Sequence, residues 1–546
     1  MSRYSARPLL GARTATLSDL EMAIILLYQP QFHAIADSLS YAKDDSTVIG
    51  HRNSDYPKAI VLLIGALSRV CRSLPKAEAM LRTPDTWAAI RKHWRLAKQL
   101  GVIGDNEPDE LPSSPISTPQ WRYMVDRFKA QPGKFDEFCQ VFTDASVGLA
   151  LELGYFEDGS TSKPALSSSL FADGTEIRSQ YRSYIDEVVD PVTDEVRLAA
   201  VDPGRGGCVR AWLVEIDGQW TGVNPETGVV LKKIPIDVEA LASGKYGPTQ
   251  AAYNVVPLSV RSGVPNSRVT LGIDMDFKDS QEAKTILRLT KRVVGEVLEG
   301  KVQCMITDLI LRGVHQTRLF QDHGIITVNK VAAAPPSKDD GFHEVLNQNG
   351  KRVKTLPLDL VSHKRANGVK CKHMLETIDG VLVEVDYDQD AANLVVVSTP
   401  VRRQVKRAKE TTTGGHQYRF NIRYTIECRH GAFDVWICPH REIGGDDGRK
   451  VAENYRVFPE GDPAYKELYG AGRNTSEGGN AHHKNTYPHK RAQGVGRIPI
   501  LLDVHLYFIY DNAKSWYFQK GWRIVDPLLH GTGVEEEDVL ALELAS

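Results

Sequence analysis

Apolar residues recur with helical spacing through residues 17–103, and three stretches carry the pattern. "SDLEMAIILLYQ" has Ser18 as an N-cap with Glu21 three residues later, the arrangement of a capping box. "YPKAIVLLIGALSRVCRSL" and "PKAEAMLRTPDTWAAIRKHWRLAKQLG" continue it, with Thr83 before Pro84 at a helix start. "GDNEPDELPSSPISTP" (104–119) reads as a polar, proline-rich linker. One further helix is expected over about 119–154. "EDGSTSKPALSSS" (157–169) reads as a second linker, separating a helical N-terminal unit from the rest of the chain.

The period then changes. "SLFADGTEIRSQY" (169–181) reads as a strand with a small turn, and residues 182–247, with Gly and Pro throughout, as an irregular insertion. "AAYNVVPLSV" (251–260) and "SRVTLGIDMDF" (267–277) are two strands joined by a short turn. Residues 279–300 are a strongly periodic helix that Asp279 can cap, with Ile286, Leu289, Val293 and Val297 on one face. "VQCMITDLI", "GVHQTRLFQDHG" and "IITVNKV" come next as buried strand, helix and buried strand. The order is that of an α/β unit: a mixed five-stranded sheet with helices on its faces. Three strands form an antiparallel meander, and the later strands join in parallel through right-handed crossovers.

Past residue 332 the alternation has period two at 381–401, 417–429 and 431–439, which predicts an antiparallel β-rich subdomain. Helical character returns near "DPAYKELYGAGRNTSEGGNAHHKN" and in "IPILLDVHLYFIYDNAKSW" (498–516). The expected plan is a helical domain over 1–156, the first part of a catalytic core over 165–335, and a β-rich insertion over 336–460. C-terminal helices over 461–530 complete the core, and an acidic tail over 531–546 is peripheral.

Length and charge refine this plan. A chain of 546 residues exceeds one compact core, so about three or four units are expected. The net charge is −2, so any nucleic-acid surface has to come from local clustering of basic residues. Seven cysteines, sparse and odd in number, argue against a disulfide scaffold and for a reducing compartment. The N-terminus lacks the apolar core of a signal peptide, and the longest apolar run (59–71) is too short to span a bilayer and contains Arg69. A cytoplasmic protein without a membrane association is expected.

Two carboxylates stand at the ends of apolar strands: Asp173 after "SLFA" and Asp308 after "CMIT". In the expected sheet those strands are neighbours. Carboxylates so placed repel unless a cation lies between them. Magnesium suits them, being a hard cation that takes oxygen ligands and shares its shell with phosphate oxygens. "RNTSEGGNAHHKN" (473–485) holds a lone acidic residue, Glu477, among Arg473, His482, His483 and Lys484. At about 100° per residue, Tyr469, Arg473, Glu477 and Lys484 share one helical face. Glu477 can then ligate a metal while Arg473 and Lys484 hold phosphates. Taken singly, Asp173 can be a turn residue, Asp308 a helix cap, and Glu477 a surface partner of Arg473.

The chain resembles the DDE transposases with an RNase-H-like catalytic core, and more narrowly the bacterial insertion-sequence group. That group has a Tyr–Arg–Glu–Lys signature around the last acidic residue and a β-rich insertion before it. "ADGTEI", "ITDLILRGVHQTRLFQDHGI" and "LYGAGRNTSEGGNAHHK" carry the resemblance. Arg473, Glu477 and Lys484 match the signature's spacings, whereas Tyr469 lies one residue farther from Arg473. The resemblance implies Asp173, Asp308 and Glu477 as catalytic metal ligands for Mg²⁺, with Mn²⁺ able to substitute. It also implies double-stranded DNA with terminal inverted repeats as partner, a homodimer on that DNA, and association with the nucleoid. The N-terminal helices would then bind the DNA ends. Two alternatives remain: an inactive, transposase-derived DNA-binding protein, and a nuclease on the same fold. Gly470, Gly472, Gly478 and Gly479 each weaken helix by up to about 1 kcal/mol, so the Glu477 helix is expected to be broken or to form only on DNA.

Other clusters carry weaker expectations. Asp274 and Asp276 read as solvated or helix-capping. "VRRQVKRAK" (401–409) places Arg402, Arg403, Lys406 and Arg407 as candidate phosphate contacts. Cys428, His430, Cys438 and His440 repeat a Cys-x-His spacing that can ligate zinc, but the usual Cys-x₂-Cys is absent and zinc is not expected.

Overall fold

The computed structural model describes residues 17–39, 56–178, 184–202, 208–216, 219–230, 252–276, 282–331, 341–364, 368, 370–390, 392–413, 415–439, 451–487 and 496–530. Asp279, His440 and the acidic tail fall outside these residues, as does the end of the 182–247 segment.

The central sheet arises from short, fully buried strands. β1 (Ser169–Ala172) and β2 (Thr175–Arg178) both pair antiparallel with β7 (Ala252–Val260). Phe171 lies opposite Ser259 and Thr175 opposite Val255, so the register does not shift and β1–β2 is one strand opened only at Asp173–Gly174. β8 (Val269–Asp276) continues the meander on β7. On the other side β9 (Cys304–Ile306) runs parallel to β1, and β10 (Ile326–Val328) parallel to β9. The strand order β10-β9-β1/β2-β7-β8 is thus a mixed sheet of five positions.

Helices α8 (Glu282–Val294) and α9 (Gly313–His323) carry the chain from β8 to β9 and from β9 to β10. α8 buries Ile286, Leu289 and Val293 as expected, but Val297 is exposed, because the helix has ended and the chain turns through Gly295 at φ 42°.

The N-terminal helices are α1 (Asp19–Leu27), α2 (Pro30–Asp37), α3 (Lys58–Val70), α4 (Leu74–Leu81), α5 (Pro84–Gln99), α6 (Thr118–Ala130) and α7 (Pro132–Glu152). The Ser18–Glu21 capping box is present in both directions. The single helix expected over 119–154 is interrupted at Gln131–Pro132, where proline cannot donate a helical hydrogen bond. Nor do these helices form a separate unit. α7 packs on β8, and α3 packs on α11 (Arg497–Trp516), which itself covers β8, so one apolar core runs through helices and sheet. The two supposed linkers are fastened down. The indoles of Trp87 and Trp94 donate to the Pro112 and Pro108 carbonyls at 3.0 and 2.9 Å. The Gln303 amide bridges the Ala165 N–H and the Asp158 carbonyl.

The segment expected to be irregular holds an antiparallel meander: β3 (Tyr184–Val189), β4 (Val196–Asp202), β5 (Cys208–Ile216) and β6 (Gln219–Val223). It buries only a small cluster around Ala199, Val201 and Trp212, which is why its apolar alternation is faint in the sequence. The β-rich region resolves into two parts. β11 (His343–Leu346), β12 (Arg352–Lys364), β13 (Lys370–Ile378), β14 (Val381–Asp388) and β15 (Asn393–Ser398) close a barrel. β16 (Val401–Thr412), β17 (Gly415–Ile426) and β18 (Phe433–Ile437) form a three-stranded sheet. The chain then returns to the central sheet through α10 (Pro463–Asn485) and α11, and ends its described course in α12 (Trp522–His530). No helix among the described residues is long and apolar enough to cross a membrane.

A candidate carboxylate cleft beneath a glycine-faced helix

Register brings the two aspartates together. Phe171 pairs with Ile306 in the parallel β1–β9 ladder, and Asp173 and Asp308 each lie two residues further on. Adjacent strands are about 4.8 Å apart, so the same edge of the sheet presents both carboxyls side by side. Asp173 is half-buried in the opening between β1 and β2, and Asp308 is exposed. Gly174 makes the opening possible: its N–H donates to Glu282 Oε1 at 2.8 Å, and a Cβ there would lie 2.5 Å from that carboxylate. The Asn254 amide holds the other Glu282 oxygen at 2.9 Å. Asp308 Oδ1 accepts from the Leu309 N–H at 2.7 Å, a local turn contact that aims the carboxyl out of the strand.

α10 covers this edge, lying on β1, β9 and β10. It is one continuous helix through all four glycines, with Asp462 accepting from the Ala464 N–H at 2.9 Å as its N-cap. The expectation of a broken helix is therefore corrected, and the reason is packing. A Cβ on Gly472 would lie 2.7 Å from both Ile306 Cγ2 and Phe171 Cδ1. A Cβ on Gly479 would collide with the Arg268 guanidinium. The two are seven residues apart, hence on one face, and that face must be bare for the helix to approach. Gly470 and Gly478 face open space.

The contact leaves a cleft of about 60 Å³, room for a few waters. Asp173, Thr307 and Asp308 line it from the sheet, and Tyr469, Gly472 and Arg473 from the helix. Four residues singled out in the sequence thus meet: Asp173, Asp308, Tyr469 and Arg473. The extra residue between Tyr469 and Arg473 does not take the tyrosine away, and its ring stacks on Tyr465 with centroids 4.9 Å apart. The backbone of Glu477 continues along the same helix, one turn beyond Arg473; its side chain lies outside the described residues. Lys484 lies outside the cleft: eleven residues from Arg473 is about 16 Å of helix. Asn480, which the sequence reading does not single out, also engages Asp173. Its amide donates to Asp173 Oδ2 at 3.1 Å. The signal was available, since i+7 from Arg473 returns to the same face.

A second, larger cavity of about 440 Å³ opens at the C-terminal end of α10. Arg69, Arg72, Arg261, Arg268, Lys514 and His482 line it, against one carboxylate, Asp511. Arg268 pairs with Asp511 at 2.5 Å. Arg69 lies 3.5 Å from Asp503, whose carboxyl burial pushes up against the pull of that arginine. These residues come from separate elements, so no local sequence pattern announces the cavity.

Other expectations change. Arg407 donates to the carbonyls of Val302 and Gly324 at 2.9 Å and to that of Gly300, and Arg402 pairs with Asp462 over the Phe458 ring. Both are committed inside the fold rather than offered to a phosphate, because the β16–β17 hairpin packs on the crossover turns of the central sheet. Arg403 and Lys406 are exposed. Asp274 is buried rather than solvated, held by Arg288 at 2.8 Å, Arg292 at 3.3 Å and Arg497 at 3.4 Å. Burial raises its pKa, but the arginines outweigh burial and hold the carboxyl below its ordinary range. The side chain of Asp276 lies outside the described residues. Among the described residues the group of three close enough to share a metal ion joins Cys428 to His363 and Cys371, and includes neither His430 nor Cys438. No family model matches the chain, and no curated protein or solved structure matches it.

Proposed function

We propose that the chain is a metal-dependent DNA transposase that cuts and joins element ends on an RNase-H-like core. One observation carries the reading: Asp173 and Asp308 project from equivalent positions of adjacent parallel strands into a cleft roofed by Tyr469 and Arg473. The donor set fits Mg²⁺ or Mn²⁺, because two hard oxygen ligands stand on rigid strand ends at a cleft wide enough for coordinated water. Asp173 and Asp308 would hold the metal, and Glu477 is the third candidate ligand. Such a metal supplies Lewis acidity toward a phosphoryl oxygen and an activated water or 3′-hydroxyl.

The chain's own residues do the rest. Arg473, exposed at the cleft, presents a guanidinium fork for a non-bridging phosphate oxygen. Asn480 orients Asp173 through its 3.1 Å hydrogen bond. Ile306, tight against Gly472, walls the inner side. From Arg473 to His482 is nine residues, about 14 Å of helix. That is about four nucleotide steps of a strand at 3.4 Å each. A DNA end laid along α10 would therefore reach from the carboxylates to the basic cavity. A homodimer on paired inverted repeats belongs to the same proposal.

The test is cleavage of DNA bearing the repeats that flank the gene, in Mg²⁺ and in Mn²⁺. Asp173→Asn, Asp308→Asn and Glu477→Gln should each abolish cleavage while retaining DNA binding; cleavage at the wild-type rate by any of them refutes the assignment of that residue. The Asn480–Asp173 bond also favours a second reading, since a neutral amide already engages the carboxylate. In that reading the protein binds DNA in a salt-sensitive way and never cleaves it with either metal. Cutting without joining, in a strand-transfer assay, would mark a nuclease instead.

A further inference from the structure

The β-rich region holds a cluster of soft ligands that the carboxylate cleft does not use. His363 on β12 lies opposite Cys371 on β13 in the antiparallel register. Cys428 comes just after β17, in a turn closed by the Gly431 N–H donating to the Cys428 carbonyl at 2.9 Å. The ligand atoms of His363, Cys371 and Cys428 lie within 4.8 Å of one another, although they come from three separate stretches of chain. Two sulfurs held by a tetrahedral zinc at about 2.3 Å sit about 3.8 Å apart, so the cluster needs only a small contraction to close on the ion.

A second histidine stands beside them, outside the 4.8 Å group. His373 is two residues after Cys371, on the same face of β13. Its ring stacks on that of His363 with centroids 5.5 Å apart, and both rings rest on Phe433. His373 is 6% exposed. Its Nδ1 bonds Glu384 Oε1 at 2.6 Å, and Ser398 donates to the other Glu384 oxygen at 2.6 Å. That carboxylate fixes the imidazole tautomer and leaves Nε2 as the ring nitrogen that can take a metal, as outer-shell carboxylates do for zinc-binding histidines. His373 Nε2 and His363 Nδ1 are both buried with no hydrogen-bond partner. A buried, unsatisfied ring nitrogen is destabilising, and a bound cation removes that cost.

We propose that His363, Cys371 and Cys428 hold a structural zinc ion that staples the barrel to the three-stranded sheet, with His373 closing on it as the fourth ligand when the metal binds. The ligand chemistry is that of a Cys₂His₂ centre, built from strand register rather than from a short sequence motif. Cys438 is not a member: it lies five residues after Phe433 on the β18 path, and so on the opposite face from the ring that packs on the histidines. The site is independent of the carboxylate cleft and of any activity there.

The experiment uses the full chain, purified under reducing conditions without added metal. Metal analysis should find about one zinc per chain. After chelation, Co²⁺ should restore a stoichiometric complex with tetrahedral d–d bands and thiolate-to-metal charge transfer. Cys371→Ser and Cys428→Ser should lose the charge-transfer intensity. His373→Gln, which keeps both thiols, should weaken Co²⁺ at least about tenfold. Cys438→Ser should bind as wild type does. Because a serine variant could misfold, the wild-type protein provides the decisive arm. If the chelated, still-folded wild-type chain takes up neither Zn²⁺ nor Co²⁺, the proposal falls. It falls equally if Cys438→Ser abolishes binding while Cys371→Ser preserves it, or if mass spectrometry finds a Cys371–Cys428 disulfide in freshly isolated protein.

Discussion

Gly472→Ala adds one methyl group where α10 meets the sheet. The new carbon would lie 2.7 Å from both Ile306 Cγ2 and Phe171 Cδ1. Carbons in contact settle at about 3.5–4.0 Å, so the helix has to retreat by about 1 Å or two core side chains must leave their rotamers. Overpacking of this sort costs about 1–3 kcal/mol. Alanine returns up to about 1 kcal/mol of helix propensity, which leaves a net loss of about 0–2 kcal/mol. Gly470 supplies the control. Its Cβ would meet nothing within 4 Å, so Gly470→Ala keeps the whole propensity gain. The two variants should therefore differ by about 1–3 kcal/mol in urea denaturation, with Gly472→Ala the weaker. In a cleavage assay, retreat of the helix carries Tyr469 and Arg473 off the aspartates. On the proposed function, a 1 Å misplacement costs on the order of a hundredfold in cleavage rate, whereas Gly470→Ala leaves that rate unchanged. If Gly472→Ala proves as stabilising as Gly470→Ala, α10 does not rest on Phe171 and Ile306, and the cleft loses its roof.

Gly479→Ala should be worse, because its methyl displaces the Arg268 guanidinium from Asp511; breaking a largely buried pair costs about 3–5 kcal/mol, and a loss below about 1 kcal/mol in the same denaturation series would refute the packing. Acid should also unfold the protein by way of two buried imidazoles. Burial pushes His483 down to about 3 and His505 to about 4, whereas both titrate near 6.5 in the unfolded chain. The unfolded state alone takes up these protons as pH falls from about 6.5 toward 4, so stability is full above that window and lost within it, by about 1.4 kcal/mol per pH unit for each group. By pH 5 the pair removes about 4 kcal/mol, and His505→Phe should take its own share, about 1.4 kcal/mol per pH unit, out of the pH dependence of stability; an unchanged slope would show that His505 already takes up its proton in the folded chain.

The central sheet was legible because its signals are local. "SLFA", "CMI" and "ITV" are short, largely apolar runs buried on both faces, as strands covered on both sides are, and the 279–300 periodicity marks the crossover helix that leads into β9. The linker reading gives way where composition stands in for contact. "GDNEPDELPSSPISTP" is polar and proline-rich, yet its carbonyls accept the indole N–H groups of Trp87 and Trp94, and a composition cannot reveal an acceptor's partner. The β3–β6 meander was missed for the opposite reason: a sheet that buries three core residues needs little apolar alternation.

The candidate cleft is half legible in the sequence, and the two halves differ in kind. Asp173 and Asp308 can be placed side by side from sequence because parallel register turns equal distances from a strand end into neighbourhood. The helix opposite them was misjudged because propensity ranks each glycine by its cost to an isolated helix. Gly472 and Gly479 instead set the distance at which a helix can lie against something else. Any side chain at Gly472 would hold Arg473 away from the aspartates, so its propensity cost accompanies a cleft that no other residue allows. The same segment divides by face. Gly472 and Gly479 point inward, Arg473 and Asn480 stand toward the carboxylates, and His482 looks into the basic cavity. "RNTSEGGNAHHKN" is odd as a helix on its own; once packed, the inward face has to be glycine and the other two have to be polar.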